Sequence, residues 1–579
     1  MKVKKWRVTW IVTAAVAYGL VAAGSFFPQY EAATEAYIVQ GASVERVHAA
    51  VQAVGGEITR DLSIIKSTVV LLTPEQREQL QSTPGITGIY KDATVQSTAV
   101  ASYSLGTTDS LGTTDSLSHD AETYTLKASS VPYLDFPKLV DAQSLHSQGI
   151  SGSGVTVAVL DSGVLKDSVF TKTTSGSARV KALFSSIAGD DGKGGDEDDY
   201  GHGSHVASII MNSDLSSNRK YNSIAPNVNL VSVKAFGADG SGSYSDVIYG
   251  LQWILDNREQ FDIQVLNLSF SAKVQSNYWD DPLNQAVMQV WQAGIVVVAS
   301  AGNKGPDPMS IGVPGNLPYI ITVGAMTDNW TPGDASDDYL ASFSAAGPTY
   351  EGFVKPEIVA PGGHLTGRTN EKSTLALAHP EFYSFDKYFT MSGTSQATAV
   401  VSGIAALVLQ QNPGISPDEV KCKLMATARP AAYPDGALAY SIFQQGAGLV
   451  NAPGAVASEA TGCANRGLDI AADIAGTAHF GGMANQDEQG NYYITGMDGH
   501  EWNSGELGND GYFWNDGYFW NDGYFWNDGY FWSDGYFWND GYFWNDGYFW
   551  NDGFFWNDGY FWSDTLSEAA SVNVWVDQE

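Results

Sequence analysis

A chain of 579 residues has room for about two to four domains, and its two cysteines cannot supply a disulfide-dense scaffold. The formal net charge of -34 excludes a nucleic-acid partner, because a phosphate-binding face needs clustered Lys and Arg. An acidic, lysine-poor surface suits salty or calcium-rich surroundings instead.

Lys2, Lys4, Lys5 and Arg7 precede an uncharged, Ala- and Val-rich run from Val8 to Gly24. Basic then apolar is the order of a secretory signal, expected over residues 1–30 with a cleavage point near Val21-Ala22-Ala23. A retained membrane anchor is the alternative, since the run is just short of a full span. A secreted, extracellular or cell-surface location is expected. Export also permits a Cys422–Cys463 disulfide, against two free thiols.

Residues 36–97 read as a small α+β unit. "AYIVQ" is a short strand and "SVERVHAAVQAVGG" an amphipathic helix ending in a Gly pair. "STVVLLT" is a further strand, "PEQREQLQSTPG" a helix opening at Pro74, and "ITGIYKDATVQ" a last strand. The β-α-β-β-α-β order predicts a split, ferredoxin-like unit. A Ser/Thr/Gly-rich linker over 98–135 follows, with the tandem "LGTTDSLGTTDSL" inside it; such composition buries no core.

From 136 to 458 apolar strands alternate with helices. The strands are "GVTVAVLDS", "NVNLVSVKAF", "DIQVLNLSF", "GIVVVASAG" and "YIITVGAMT", with helical patterns "SYSDVIYGLQWILDNRE" and "PLNQAVMQVWQAG" between them. Near-continuous Val/Ile/Leu strands predict a mostly parallel sheet covered on both faces. The functional crevice of such sheets lies beyond the carboxyl ends of the strands. Asp161 closes the first strand, where alone it reads as a turn residue. "GDDGKGGDEDDYGHG" packs six acidic residues, Asp190, Asp191, Asp196, Glu197, Asp198 and Asp199, into a Gly-rich loop. That loop is a solvated surface or a structural calcium site, since hard cations want several oxygens on a bendable loop. Asp190, Asp191, Asp196 and Asp198 are its candidate ligands. His202 follows at a Gly-flanked turn into a helix. Ser395 opens a long apolar helix, where alone it reads as a cap.

Together the three residues change meaning. Asp, His and Ser in that order, each at a Gly-flanked strand-to-helix junction of one parallel-sheet domain, are a known arrangement for nucleophilic serine catalysis. "VLDSGV", "GHGSHVA", "ASAGN" and "SGTSQAT" occur in succession, and over about residues 140–458 the chain resembles the subtilisin-like serine proteases, the subtilases. The resemblance implies a three-layer α/β domain and a serine endopeptidase acting on protein or peptide substrates, with no cofactor required for chemistry. It implies Ser395 as nucleophile, His202 as general base and then acid, and Asp161 as the carboxylate that orients the imidazole. Asn303 would donate its side-chain amide to the oxyanion beside the Ser395 N–H. Gly240, Ser241 and Gly242 would pair with an extended substrate, which favours broad sequence choice. The segments Asn267–Ser271 and Ala299–Gly302, through Ser269, Ser300 and Gly302, would flank the primary specificity pocket. Neither segment carries Asp or Glu, so large apolar or mixed side chains are expected there rather than basic ones.

Two departures from the family pattern stand near the site. Gln396-Ala397-Thr398-Ala399-Val400 replaces the usual Met-Ala-Thr-Pro-His, and Ser204 stands where Thr is commoner. The 36–97 unit resembles the subtilase propeptide, an inhibitor and foldase of its own protease. Its cut is expected near Gln96, with the mature start between 97 and 135. Slow folding of parallel sheets gives a folding partner a physical purpose.

A linker is expected over 459–508, then nine Asp-Gly-Tyr-Phe-Trp-Asn-type hexads over 509–564 and an acidic tail over 565–579. Each hexad joins turn residues to strand-favouring ones, and a period of six keeps equivalent side chains on one face. Burying two aromatics per hexad gives roughly 8–12 kcal/mol, while ordering six residues costs about 9 kcal/mol. Such a stack is marginal, and salt or calcium would relieve repulsion between its aligned Asp side chains. The repeats are therefore expected to adhere to cell-surface material or polysaccharide. A low-complexity, self-associating tail, or a sorting signal removed during export, is the alternative. A surface adhesin whose protease domain has become a scaffold is the rival reading for the whole chain.

Overall fold

The computed structural model describes residues 33–92 and 131–495, apart from 385–386, 435 and 488, together with the backbone of 501–502. The expected signal, the aromatic repeats, the acidic tail and most of the 98–135 linker lie outside these residues, as does Gln96.

The front unit contains β1 (Glu35–Gly41), β2 (Glu57–Leu62), β3 (Ser67–Leu72) and β4 (Ile86–Lys91). Helices Val44–Ala53 and Pro74–Gln81 complete the expected β-α-β-β-α-β order. The sheet order is β2-β3-β1-β4 with every pair antiparallel. Thr73 and Gln76 form a reciprocal capping box that starts the second helix at Pro74. Tyr37, Val39, Val47, Val51, Val70, Leu72 and Leu80 form the unit's own core. Its other apolar residues, among them Ile38, Leu62 and Ile65, join the core of the large domain.

The large domain is built on β5 (Thr156–Asp161), β6 (Val180–Ser185), β7 (Asn229–Lys234), β8 (Ile263–Leu268), β9 (Val296–Ser300), β10 (Ile321–Thr327), β11 (Tyr339–Leu340) and β12 (Ile358–Pro361). Their order is β11-β10-β9-β8-β5-β7-β6, with β12 also on β10, and only β11 runs antiparallel. Five of these are the predicted strands. The edge strand β6 escaped notice because its burial alternates, as befits a strand with one wet face. The chain leaves β5 for the far edge and returns to the other side of it at β8, so the order reverses at β5. A crevice opens at that point, beyond the strand carboxyl ends. Asp161 is the last residue of β5.

Helices His202–Met211 and Thr394–Gln411 are buried along nearly their whole length. Tyr244–Asp256 and Pro282–Gln292 are amphipathic, and Ser243 and Asp281 cap their first turns. A small sheet of β13 (Leu365–Arg368), β14 (Tyr383–Ser384) and β15 (Tyr388–Met391) covers the His202 helix.

Two boundaries differ from expectation. The domain begins before 136, since Leu134 is buried and its amide donates to Asn222 Oδ1 at 3.2 Å. The described part of 459–508 is folded onto the domain rather than strung out as a linker. Cys463 is bonded to Cys422 with Cα atoms 5.3 Å apart. Asp473 is buried and accepts from Tyr278 Oη at 2.6 Å and Tyr319 Oη at 2.9 Å. Beyond it β16 (Ala484–Gln486), β17 (Tyr492–Thr495) and β18 (Glu501–Trp502) form a meander. The polar, Gly-rich composition hid this layer because its few apolar residues, Phe480, Ala484 and Ile494, bury themselves in the domain's core rather than one of their own.

Candidate active site

Asp161 and His202 are both fully buried. The His202 Nδ1–H donates to Asp161 Oδ1 at 2.8 Å and lies 3.0 Å from Oδ2. That bond places the proton on Nδ1 and leaves Nε2 as the basic nitrogen. The Ser162 amide donates to Asp161 Oδ1 at 2.7 Å and so holds the carboxylate. Close approach requires Gly203, since a Cβ there would stand 2.1 Å from the Gly163 carbonyl oxygen.

Asp198 holds the start of the His202 helix. It is 2 % exposed and accepts from the Gly201 amide, the Ser204 amide (each 2.7 Å) and Ser162 Oγ (2.8 Å). Burial pushes its carboxyl up, against three donors that favour the charged form. The other candidate metal ligands are not gathered round one point. Asp190 accepts from Ser185 Oγ at 2.6 Å and Asp196 pairs with Lys166 at 3.2 Å; their loop neighbour Asp199, not itself a candidate, meets Lys234 at 3.4 Å. Asp191 occupies a left-handed turn position with φ of 50°. Among the described residues no group of three or more His, Cys, Asp or Glu could hold a metal ion. The calcium expectation for this loop therefore does not fit, because its buried carboxylate is a helix cap.

Ser395 is the second residue of the helix Thr394–Gln411 and is fully buried. Its Oγ donates to the Ser269 carbonyl at 2.9 Å, and Ser269 Oγ donates back to the Ser395 carbonyl at 3.1 Å. Asn267 Nδ2 donates to Ser269 Oγ at 2.8 Å, and Ser402 Oγ donates to Asn267 Oδ1 at 2.9 Å. This ladder ties the end of β8 to the nucleophile helix. The hydroxyl has one proton, so donation to Ser269 and to an imidazole nitrogen are alternatives.

Asn303 follows β9. Its Oδ1 accepts from the Thr394 amide at 2.9 Å and Thr394 Oγ1 at 2.8 Å. With the oxygen so engaged, the side chain can offer an oxyanion only its Nδ2–H donors. Thr394 is a residue that pattern reading missed. No local signal marks a clamp between residues 91 apart.

Of the substrate-side candidates, Ser269, Ser300 and Gly302 are brought beside the nucleophile helix. Ser300 Oγ donates to the Phe270 carbonyl at 2.8 Å, and the Gly302 amide donates to Thr394 Oγ1 at 3.3 Å. Gly240, Ser241 and Gly242 lie past the end of β7, whose Lys234 is in register with Asp161. There the Gly237 amide donates to the Ser241 carbonyl at 2.7 Å, which folds this edge into a turn.

Gln396 is fully buried, and its Nε2 approaches His205 Nδ1 at 3.4 Å. The other His205 nitrogen donates to the carbonyls of Leu365 (3.2 Å) and Phe389 (3.0 Å). Burial, with His202 close by, pushes the His205 imidazole down to about 3 and keeps it neutral. Position 396 thus faces a second, uncharged imidazole one helical turn from His202.

The subtilase family matches residues 152–448. Serine protease AprX of Bacillus subtilis is 40% identical over 281 residues, covering 48% of this chain and 61% of that protein. The chain therefore spans less than two thirds of that relative's length. Subtilisin DY of Bacillus licheniformis is 31% identical over 303 residues, covering 52% of this chain and 92% of the relative. Fervidolysin from Fervidobacterium pennivorans, described as a keratinolytic enzyme related to subtilisin, shares the fold with a TM-score of 0.55 at 21% identity, covering 75% of this chain and 63% of its own. With Asp161, His202 and Ser395 each at the strand or helix end that its motif requires, the chain belongs to the subtilase family of serine peptidases.

Proposed function

We propose that the chain is an exported serine endopeptidase, made as a zymogen that cuts off its own front unit. The observation that carries the chemistry is the buried Asp161–His202 pair, which fixes the imidazole tautomer, and Ser395 next to the Thr394–Asn303 clamp is read as its nucleophile. Ser395 Oγ attacks the scissile carbonyl while His202 Nε2 takes its proton, and Asp161 stabilises the imidazolium without taking that proton itself. The tetrahedral oxyanion is met by Asn303 Nδ2 and the Ser395 amide at a helix N-terminus. His202 returns the proton to the leaving amine, and water then hydrolyses the acyl-enzyme by the same steps in reverse. Every group is supplied by the chain, so the chemistry takes no cofactor.

The zymogen reading draws support from how the front unit docks. Asp92, at its carboxyl end, accepts from the Ser245 amide at 3.0 Å and Ser245 Oγ at 2.7 Å, in the first turn of the helix Tyr244–Asp256. Arg60 pairs with Asp246 in the same turn at 2.9 Å. These polar ties add to the apolar contacts of Ile38, Leu62 and Ile65, and together they suit a propeptide that stays docked on its protease until it is cut. Export rests on the amino-terminal sequence; among the described residues no helix is long and apolar enough to cross a membrane. The aromatic repeats are read as an attachment or retention module for cell-surface material or polysaccharide.

The test is intact mass of the purified chain beside Ser395→Ala. Loss of the front unit from wild type alone is the expected result. Retention of full length by both proteins, with no cleavage of added peptide, would overturn the reading and favour the scaffold.

A further inference from the structure

The expected specificity pocket has a flank beyond Gly302. Residues 304–313 run on from Asn303 and return to the same strand ends. Val313 and Ala272 exchange both backbone hydrogen bonds at 2.8 Å, and a Cβ on Gly312 would stand 2.0 Å from Ser271 Oγ. The Gly305 amide donates to the Phe343 carbonyl at 2.9 Å, and the Gly312 amide donates to the Ala301 carbonyl at 3.1 Å. Ala301, Ile311 and Ala345 form a small separate core beneath the stretch.

Within this flank stands Met309, with φ of 61°, a left-handed backbone that residues other than Gly seldom adopt. Its Sδ accepts from the Tyr492 hydroxyl at 2.9 Å. Tyr492 opens β17 in the layer added after residue 459. That layer is itself fixed to the domain: the amides of Gly482 and Ala484 donate to the carbonyls of Glu351 (2.6 Å) and Gly352 (3.0 Å). Ile494 is buried beside it, and the Tyr492 ring meets Phe443 edge-on at 6.3 Å. A side chain 183 positions downstream thus braces the pocket flank six residues past the oxyanion asparagine.

We propose that the β16–β17 hairpin is a specificity element, in which Tyr492, acting through Met309, sets the position of residues 304–313 and so the size of side chain the primary pocket accepts. The proposal rests on the protease reading above. Tyr492 is a positioning residue and does not touch substrate. Selectivity is the property that responds, because Asn303 and Ser395 are held independently through Thr394 and Ser269.

The test uses the full self-processed chain and peptides that differ only in the residue before the scissile bond: Ala, Leu or Phe. Tyr492→Phe removes the hydroxyl and keeps the ring, while Met309→Gly removes the sulfur and suits the left-handed backbone. Each is expected to shift the Phe-over-Ala ratio of kcat/KM about fivefold, the worth of one neutral hydrogen bond, mainly through KM. The double variant is expected to shift no further than either single one. A lowered melting temperature with ratios within about twofold of wild type, or two shifts that simply add, would overturn the proposal. Wild type that cleaves but whose ratios the variants leave unmoved sinks this proposal alone. Wild type that cleaves none of the panel sinks the protease reading and this proposal with it.

Discussion

Thr394 Oγ1 accepts from the Gly302 amide at 3.3 Å and donates to Asn303 Oδ1 at 2.8 Å, while the Thr394 amide donates to that same oxygen at 2.9 Å. One hydroxyl therefore links the specificity segment, the oxyanion donor and the nucleophile helix. Loss of a subtilisin oxyanion asparagine, the case from which the figure comes, costs about 10²–10³ in kcat. Thr394→Val keeps the backbone donor and loosens only the amide's orientation, so a smaller loss is expected, about tenfold in kcat with KM little changed. Thr394→Ser keeps the hydroxyl and is expected to restore wild-type turnover. Steady-state kinetics on one peptide decide it, and a loss in the Ser variant with none in the Val variant would show that the methyl, not the hydrogen bond, matters.

At the scale of elements, the turn at Glu351 carries both the domain and the added layer. Its carboxylate accepts from the Tyr278 amide at 2.9 Å and its carbonyl accepts from the Gly482 amide. Burial, with Asp280 adding like charge, pushes the Glu351 carboxyl up to about 7. The folded chain thus keeps a proton that the unfolded chain has lost at the same pH. Stability is fullest below the ordinary carboxylate range and falls as pH rises towards about 7, above which the penalty is complete. Glu351→Gln retains the acceptor without the charge. In the Ser395→Ala background it is expected to gain about 2 kcal/mol at pH 8 and almost nothing at pH 4, read as a rise of a few degrees in melting temperature. A gain that does not depend on pH would mean that charge is not the cause.

At the scale of the molecule, the front unit holds the domain through side chains, with its sheet facing the helices Tyr244–Asp256 and Pro282–Gln292. Arg60 makes three of these ties. It donates to Asp246 Oδ1 and to the Ser186 carbonyl, each at 2.9 Å, and lies 4.5 Å over the Tyr249 ring. The pair is part-buried, with side-chain exposures of 17% and 11%. Removing one partner of such a pair costs about 2–5 kcal/mol, much of it from the stranded charge. Arg60→Ala is therefore expected to raise peptide cleavage by freshly processed protein at least about tenfold, with the front unit separating on size exclusion. Unchanged inhibition would place the grip elsewhere, at Asp92 or in the apolar contacts of Ile38, Leu62 and Ile65.

The mostly parallel sheet and five of its strands were legible along the chain, as were the junctions that carry Asp161, His202 and Ser395. Those features are written locally: runs of Val, Ile and Leu that must be covered on both faces, and glycines where strand turns into helix. The role of individual polar groups, by contrast, was settled by the fold. Asp198, one of six acids in a run that suited a cation, became a buried helix cap because Gly201, Ser204 and Ser162 surround it. Thr394 and Asn303 met across 91 residues. The stretch after residue 459, which reads as a linker, became a layer of the domain through Asp473, the Cys422–Cys463 bond and Tyr492. A buried polar group must find a partner wherever the fold supplies one, and most of these partners are distant in sequence. Apolar periodicity survives in a linear reading for the opposite reason, since burial needs only the right spacing along one element.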